Sequence, residues 1–81
     1  VRKSKSAAVA EVLGEMTVTA VGNHCVSVVN YGKIADVKES SVKLMNKKHI
    51  IAVNGEKMRL SEFNGYTIII EGKILSIEYL T

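Results

Sequence analysis

Proline and tryptophan are absent from this chain of 81 residues, and cysteine occurs once, as Cys25. A lone cysteine rules out an internal disulfide framework and a four-cysteine zinc site. With no proline, no stretch is barred from a sheet interior on that ground. No apolar run exceeds a few residues, so no transmembrane helix can be drawn from the sequence. The run from Ala7 to Leu13 is broken by Glu11 and is too weak for the apolar part of a secretory signal. An intracellular address is expected, and a free cysteine fits it. Aromatic residues make up only 5% of the chain.

Cations outnumber anions by three, but they are unevenly placed. Arg2, Lys3 and Lys5 lie within the first five residues, and without them the remaining eight cations balance the eight acids. Nucleic-acid binding needs clustered cations to neutralise phosphates. Lys47 and Lys48 form a pair, while Lys33, Lys38, Lys43, Lys57 and Lys73 lie scattered among acids. The body is thus expected to bind no nucleic acid. At 47% hydrophobic and 23% charged, the chain reads as one small globular domain.

Residues 1–15 read as a basic leader and a short helix, and residues 16–81 as a β domain. Within the leader, Ala8, Val9, Val12 and Leu13 follow the three-and-four spacing of a helical stripe, with Gly14 as its stop. Such a helix is too short to stand alone and must dock. From Met16 onwards, short runs of Val, Ile and Thr are punctuated by Gly22, Gly32, Gly55, Gly65 and Gly72. Strands are expected near Met16–Val21, Cys25–Tyr31, Lys33–Val37, Val42–Met45, His49–Val53, Lys57–Phe63, Tyr66–Glu71 and Ile74–Leu80. The fold class expected is all-β: a small antiparallel β-sandwich-like domain of seven or eight short strands with an N-terminal helix.

Asn54-Gly55 is a strong hairpin-turn signal. A two-residue loop there pairs Val53 with Glu56 and Ile51 with Met58, placing Ile51, Val53, Met58 and Leu60 on one face. The same construction at Glu71-Gly72 gathers Tyr66, Ile68, Ile70, Leu75, Ile77 and Tyr79, and leaves Ile69 beside Ile74 on the other face. At Asn64-Gly65 a two-residue loop would mix the faces. A three-residue loop with a bulge pairs Leu60 with Ile70 and restores one core, and a strand crossing between two packed sheets resolves the mismatch as well.

Chemical constellations are few. His24 and Cys25 are adjacent, so on a strand they point to opposite faces and cannot form a thiolate–imidazole pair. His24, Cys25 and His49 lack the spacing of a zinc motif, and no cofactor or catalytic residue is expected. The pairs Asp36 with Glu39 and Glu71 with Glu78 sit among lysines, where nothing tunes a general acid or base. Tyr31, Phe63, Tyr66 and Tyr79 could form a stacking platform, although strand aromatics more often pack. Ile69 and Ile74, with Ile50 and Ala52, form the candidate interaction patch. It would serve self-association into a homo-oligomer or contact with a protein partner.

The ending Ile68-Ile69-Ile70-Glu71-Gly72-Lys73-Ile74-Leu75-Ser76-Ile77-Glu78-Tyr79 resembles the closing pattern of the YabP/YqfC family of sporulation proteins. Ile51-Ala52-Val53-Asn54-Gly55, followed by Met58 and Leu60, is similar to that family's central hairpin. Asn30-Tyr31-Gly32 sits at its turn after the second strand, and Val42 and Leu44 fit the strand that follows. The likeness covers Met16 to Leu80, and the short basic leader looks more like the YqfC branch. It implies a non-enzymatic β-domain adaptor of spore morphogenesis, made in the cytoplasm of the mother cell. Its implied partner is a YqfD- or YabQ-like membrane protein, met at the membrane around the forespore without insertion. The rival reading is a small Sm- or OB-like β barrel binding RNA or single-stranded DNA, and a third is a thiol or metal enzyme built on Cys25.

Overall fold

The computed structural model describes the backbone of residues 8–13 and, in full, residues 15–80. The described chain is all-β and antiparallel. Its strands are β1 (Ala8–Leu13), β2 (Met16–Val21), β3 (Cys25–Val29), β4 (Lys33–Lys38), β5 (Ser41–Met45), β6 (Ile50–Phe63) and β7 (Thr67–Tyr79). They form one open sheet in the order β1-β2-β3-β7-β6-β5-β4.

The expected helix is corrected at its centre. Ala8–Leu13 is a strand, paired with β2 from Ala8↔Val21 to Leu13↔Met16. The physical reason is local. A helix of this length gains little, its two valines prefer an extended backbone, and the edge of β2 offers a row of unpaired backbone groups. Six ladder positions satisfy that row. Arg2, Lys3, Lys5, Ser6 and Gly14 lie outside the described residues.

A second correction concerns the long strands. Asn54-Gly55 and Glu71-Gly72 are not hairpin turns but lie within β6 and β7, at interruptions in the β6–β7 ladder. Ile51 pairs with Tyr79 and Val53 with Ile77, not with Met58 and Glu56. The register shifts between Asn54 and Gly55 and again between Glu56 and Arg59. At this corner both strands change direction. Beyond it, Arg59↔Glu71, Leu60↔Ile70 and Phe63↔Ile68 continue the ladder. The expected partners Leu60 and Ile70 do pair, but through a shift inside β6 between Leu60 and Glu62; nearer the turn Phe63 pairs with Ile68 and Asn64 N donates to Thr67 O (2.9 Å).

These interruptions divide the one open sheet into two stretches of continuous pairing. One holds β1, β2, β3, the start of β7 and the end of β6; the other holds β4, β5, the start of β6 and the end of β7. Val26, Val28, Ile68 and Ile70 of the first stretch, and Val42, Leu44, Ile51 and Val53 of the second, are completely buried in one cluster. There is no helix among the described residues to cover them.

Hairpin tips stabilise the corner. Register shifts leave backbone donors without ladder partners, and such groups are costly when buried. Gly55 N donates to Ser40 O (3.0 Å) and Met58 N to Glu39 O (2.9 Å), both from the β4–β5 tip. Gly72 N donates to His24 O (3.2 Å) and Ile74 N to Asn23 O (2.7 Å), both from the β2–β3 tip. Gly72 has φ of 146°, which favours glycine, and a side chain there would meet the backbone of Met58 and Lys57.

Candidate binding groove

Since β6 and β7 run to the corner and back, the four remaining connections emerge together at the opposite end of the sheet. They are the β1–β2 turn with Glu15, the β3–β4 link with Asn30 and Gly32, the β5–β6 loop Asn46 to His49, and the β6–β7 turn Asn64 to Tyr66. Between them lies a groove of about 780 Å³, lined from β4 and β5 by Lys33 and Met45 as well.

Asparagines fix these connections. Asn46 Oδ1 accepts from the backbone N–H groups of Lys48 (2.9 Å) and His49 (2.7 Å). Asn64 Oδ1 does the same for Tyr66 (2.8 Å) and Thr67 (2.9 Å). Both are side-chain turns that hold a tight loop without help from solvent. Asn30, at φ 61°, bridges loops. Its N–H donates to Tyr66 O (2.6 Å) and its Nδ2 to Glu15 O (3.0 Å). Tyr31 buries its ring in the core and donates its hydroxyl to Asn64 O at 2.6 Å.

The groove is basic and carries an aromatic. Lys33, Lys47 and Lys48 stand against a single carboxylate, Glu15, and all four are exposed. Lys33 and Lys47 have no ion-pair partner among the described residues. Tyr66 is 71% exposed at the turn, and Phe63, 59% exposed, ends the strand leading into it. An exposed aromatic on a hydrogen-bonded turn is an anchor that loses little conformational freedom on binding.

The four residues of the candidate patch do not make one exposed surface. Ala52 is 2% exposed and Ile74 9%, and Ile50 and Ile69 are half-buried. Ile69 faces Ser27 and Glu62 across the ladder, whereas Ile74 faces Gly55 beyond the corner and belongs to the core. The shift at Asn54 and Gly55 skips Leu75, so Leu75, expected inside, is 59% exposed while Ile74 turns in. Tyr66 and Tyr79 were expected on that inner face as well, and both are exposed. The sequence signal for the groove was present in Asn30, Asn46 and Asn64, each at the head of a turn, but it marks turns and not where they meet.

Elsewhere the chemistry is sparse. Cys25 pairs with Glu71 across the β3–β7 ladder. Burial pushes its thiol pKa up, and the Glu71 carboxylate adds to the rise. The thiol is therefore held protonated at neutral pH, a poor nucleophile. Glu71 is itself paired with Arg59 at 2.6 Å. No three His, Cys, Asp or Glu side chains gather to hold a metal ion among the described residues. His24 and Cys25 lie by the corner and His49 at the groove end. No described helix is long and apolar enough to cross a membrane.

Compared with models of protein families, with curated proteins and with solved structures, the chain finds no match.

Proposed function

We propose that this chain is a non-enzymatic adaptor, a sandwich-like β domain that acts in spore morphogenesis by binding another protein. The observation that supports the reading is the β6–β7 turn. It presents Phe63 and Tyr66 to solvent on a backbone fixed by Asn64 and Tyr31. Aromatics displayed on a rigid element are the typical anchors of protein interfaces. The likeness of residues 16–80 to the YabP/YqfC pattern supplies the biological setting. A YqfD- or YabQ-like membrane protein at the forespore-surrounding membrane is the proposed partner, met from the mother-cell cytoplasm.

The reading is tested in the bacterium that encodes the chain. Deleting the coding sequence is expected to lower the yield of heat-resistant spores while vegetative growth is unchanged. Phe63→Ser with Tyr66→Ser is expected to reproduce that loss at normal protein level. An undiminished spore yield in the deletion strain sinks the proposal. A second reading, binding of single-stranded nucleic acid, draws on Tyr66 beside Lys33, Lys47 and Lys48. Filter binding at low and moderate salt discriminates, since tight, salt-sensitive retention of oligonucleotide is expected only of that second reading.

A further inference from the structure

The groove carries an inference about the partner's chemistry, and it rests on the adaptor reading above. We propose that the groove, with Lys33, Lys47 and Lys48 around it and Tyr66 in its wall, seats an acidic peptide segment of a protein partner. Three features carry this. The volume of about 780 Å³ lies in the range that holds several side chains. The charge is complementary to carboxylates, because the lining holds three lysines and one acid, and Lys33 and Lys47 have no ion-pair partner among the described residues. The walls are preorganised by the asparagine hydrogen bonds, so docking orders little that is not already ordered.

Tyr66 and Met45 add apolar area, which favours a segment with acidic residues around at least one large apolar side chain. A nucleic-acid strand fits less well. Single-strand binders track several phosphates with a line of cations and stack successive bases. Here one ring faces the groove, and Glu15 would repel a phosphate passing the β1–β2 turn.

The test is a titration of the isotopically labelled chain, followed by amide nuclear magnetic resonance at low salt. The probe is a synthetic peptide of alternating glutamate and leucine with one central tryptophan; its lysine-for-glutamate counterpart and oligo(dT) are the comparisons. Saturable shifts are expected at Asn30, Lys33, Asn46, Lys47, Lys48 and Tyr66. Lys33→Glu with Lys47→Glu is expected to weaken binding about tenfold or more, whereas Lys43→Glu, on the exposed face of β5, leaves it unchanged. Shifts that do not saturate, equal binding of the lysine peptide, or tighter binding of oligo(dT) at the same amides each overturn the proposal. Its failure is separable from that of the adaptor reading. If deletion blocks spore formation and the Lys33→Glu, Lys47→Glu strain sporulates normally, the groove assignment falls alone. If deletion has no effect, the adaptor reading falls, whatever the titration shows.

Discussion

Gly55 decides between a turn and a folded corner. In a two-residue hairpin it would hold positive φ, where asparagine substitutes at little cost and alanine costs about 1 kcal/mol. In the structure Gly55 is not among the residues of positive φ, and what it lacks is space. A Cβ there would collide with the carbonyl oxygen of Lys73 and come within 2.9 Å of Met58 Sδ. Relief requires the β7 backbone to retreat, which loosens the donations of Gly55 N to Ser40 O and of Ile74 N to Asn23 O. Two backbone hydrogen bonds are worth about 2 kcal/mol together, and overpacking adds about 1–3. Gly55→Ala and Gly55→Asn should therefore each cost about 3–5 kcal/mol. A domain of 81 residues holds only about 4–12 kcal/mol in all. At about 4–8 °C per kcal/mol, the midpoint should drop by about 12 °C or more. Gly65→Ala is the control: nothing lies near its Cβ, so it should be neutral or gain up to about 1 kcal/mol. Thermal melts followed by circular dichroism read all three. A Gly55→Asn variant melting within a few degrees of the parent refutes the corner.

Three further outcomes are expected. Tyr31→Phe removes the hydroxyl donated to Asn64 O and should cost about 1 kcal/mol in denaturant unfolding, with the slope unchanged; an unaltered midpoint would show that the bond contributes nothing. Ile74→Lys places a charge in the core and should abolish cooperative unfolding, whereas Ile69→Lys, half-buried beside Ser27 and Glu62, should leave a folded domain. Equal tolerance of both would restore them to one face. For Cys25, Glu71 opposes the thiolate, so Glu71→Gln lowers the thiol pKa and should speed alkylation by iodoacetamide at mildly alkaline pH. Arg59→Ala leaves Glu71 uncompensated and should slow it; a rate blind to both changes removes the electrostatic account.

Much of the β architecture was legible because side-chain alternation has a period of two and survives errors of pairing. Ile51, Val53 and Met58 were assigned to one face by an Asn54-Gly55 hairpin that does not exist, yet all three are buried together. The Ile51–Val53 and Met58–Leu60 segments do not pair with each other, yet the alternation of each places its apolar side chains in one core. Glycine after asparagine fits a tight turn and fits equally a strand passing too close to its neighbour for a Cβ. Only long-range pairing separates the two. At the Asn54/Gly55 interruption the alternation itself fails, since Leu75 is skipped in the ladder and Ile74 takes its place inside. The helix expected within residues 1–15 gives way to a strand for a related reason: the six-residue segment Ala8–Leu13 follows whichever partner offers it hydrogen bonds, and β2 does.

The corner also explains why the groove lies where it does. A hairpin at Asn54-Gly55 and another at Glu71-Gly72 would have put reversals at both ends of the sheet. By folding instead of turning, β6 and β7 place their bulges at one end, where the β2–β3 and β4–β5 tips are committed to them by backbone hydrogen bonds. Those tips, with Asn23, His24, Glu39 and Ser40, stabilise the fold and have their carbonyls engaged. The other end is left with four loops that have no corner to support. There the backbone is fixed by Asn30, Asn46, Asn64 and Tyr31, while the side chains of Lys33, Lys47 and Tyr66 point to solvent. A cost in stability should thus follow substitutions at the corner, and a cost in binding should follow substitutions of the exposed side chains at the loop end. An exchange of those two patterns, with Lys47→Glu unfolding the domain and Gly72→Ala merely weakening a contact, would mean that the sheet is not folded at this corner.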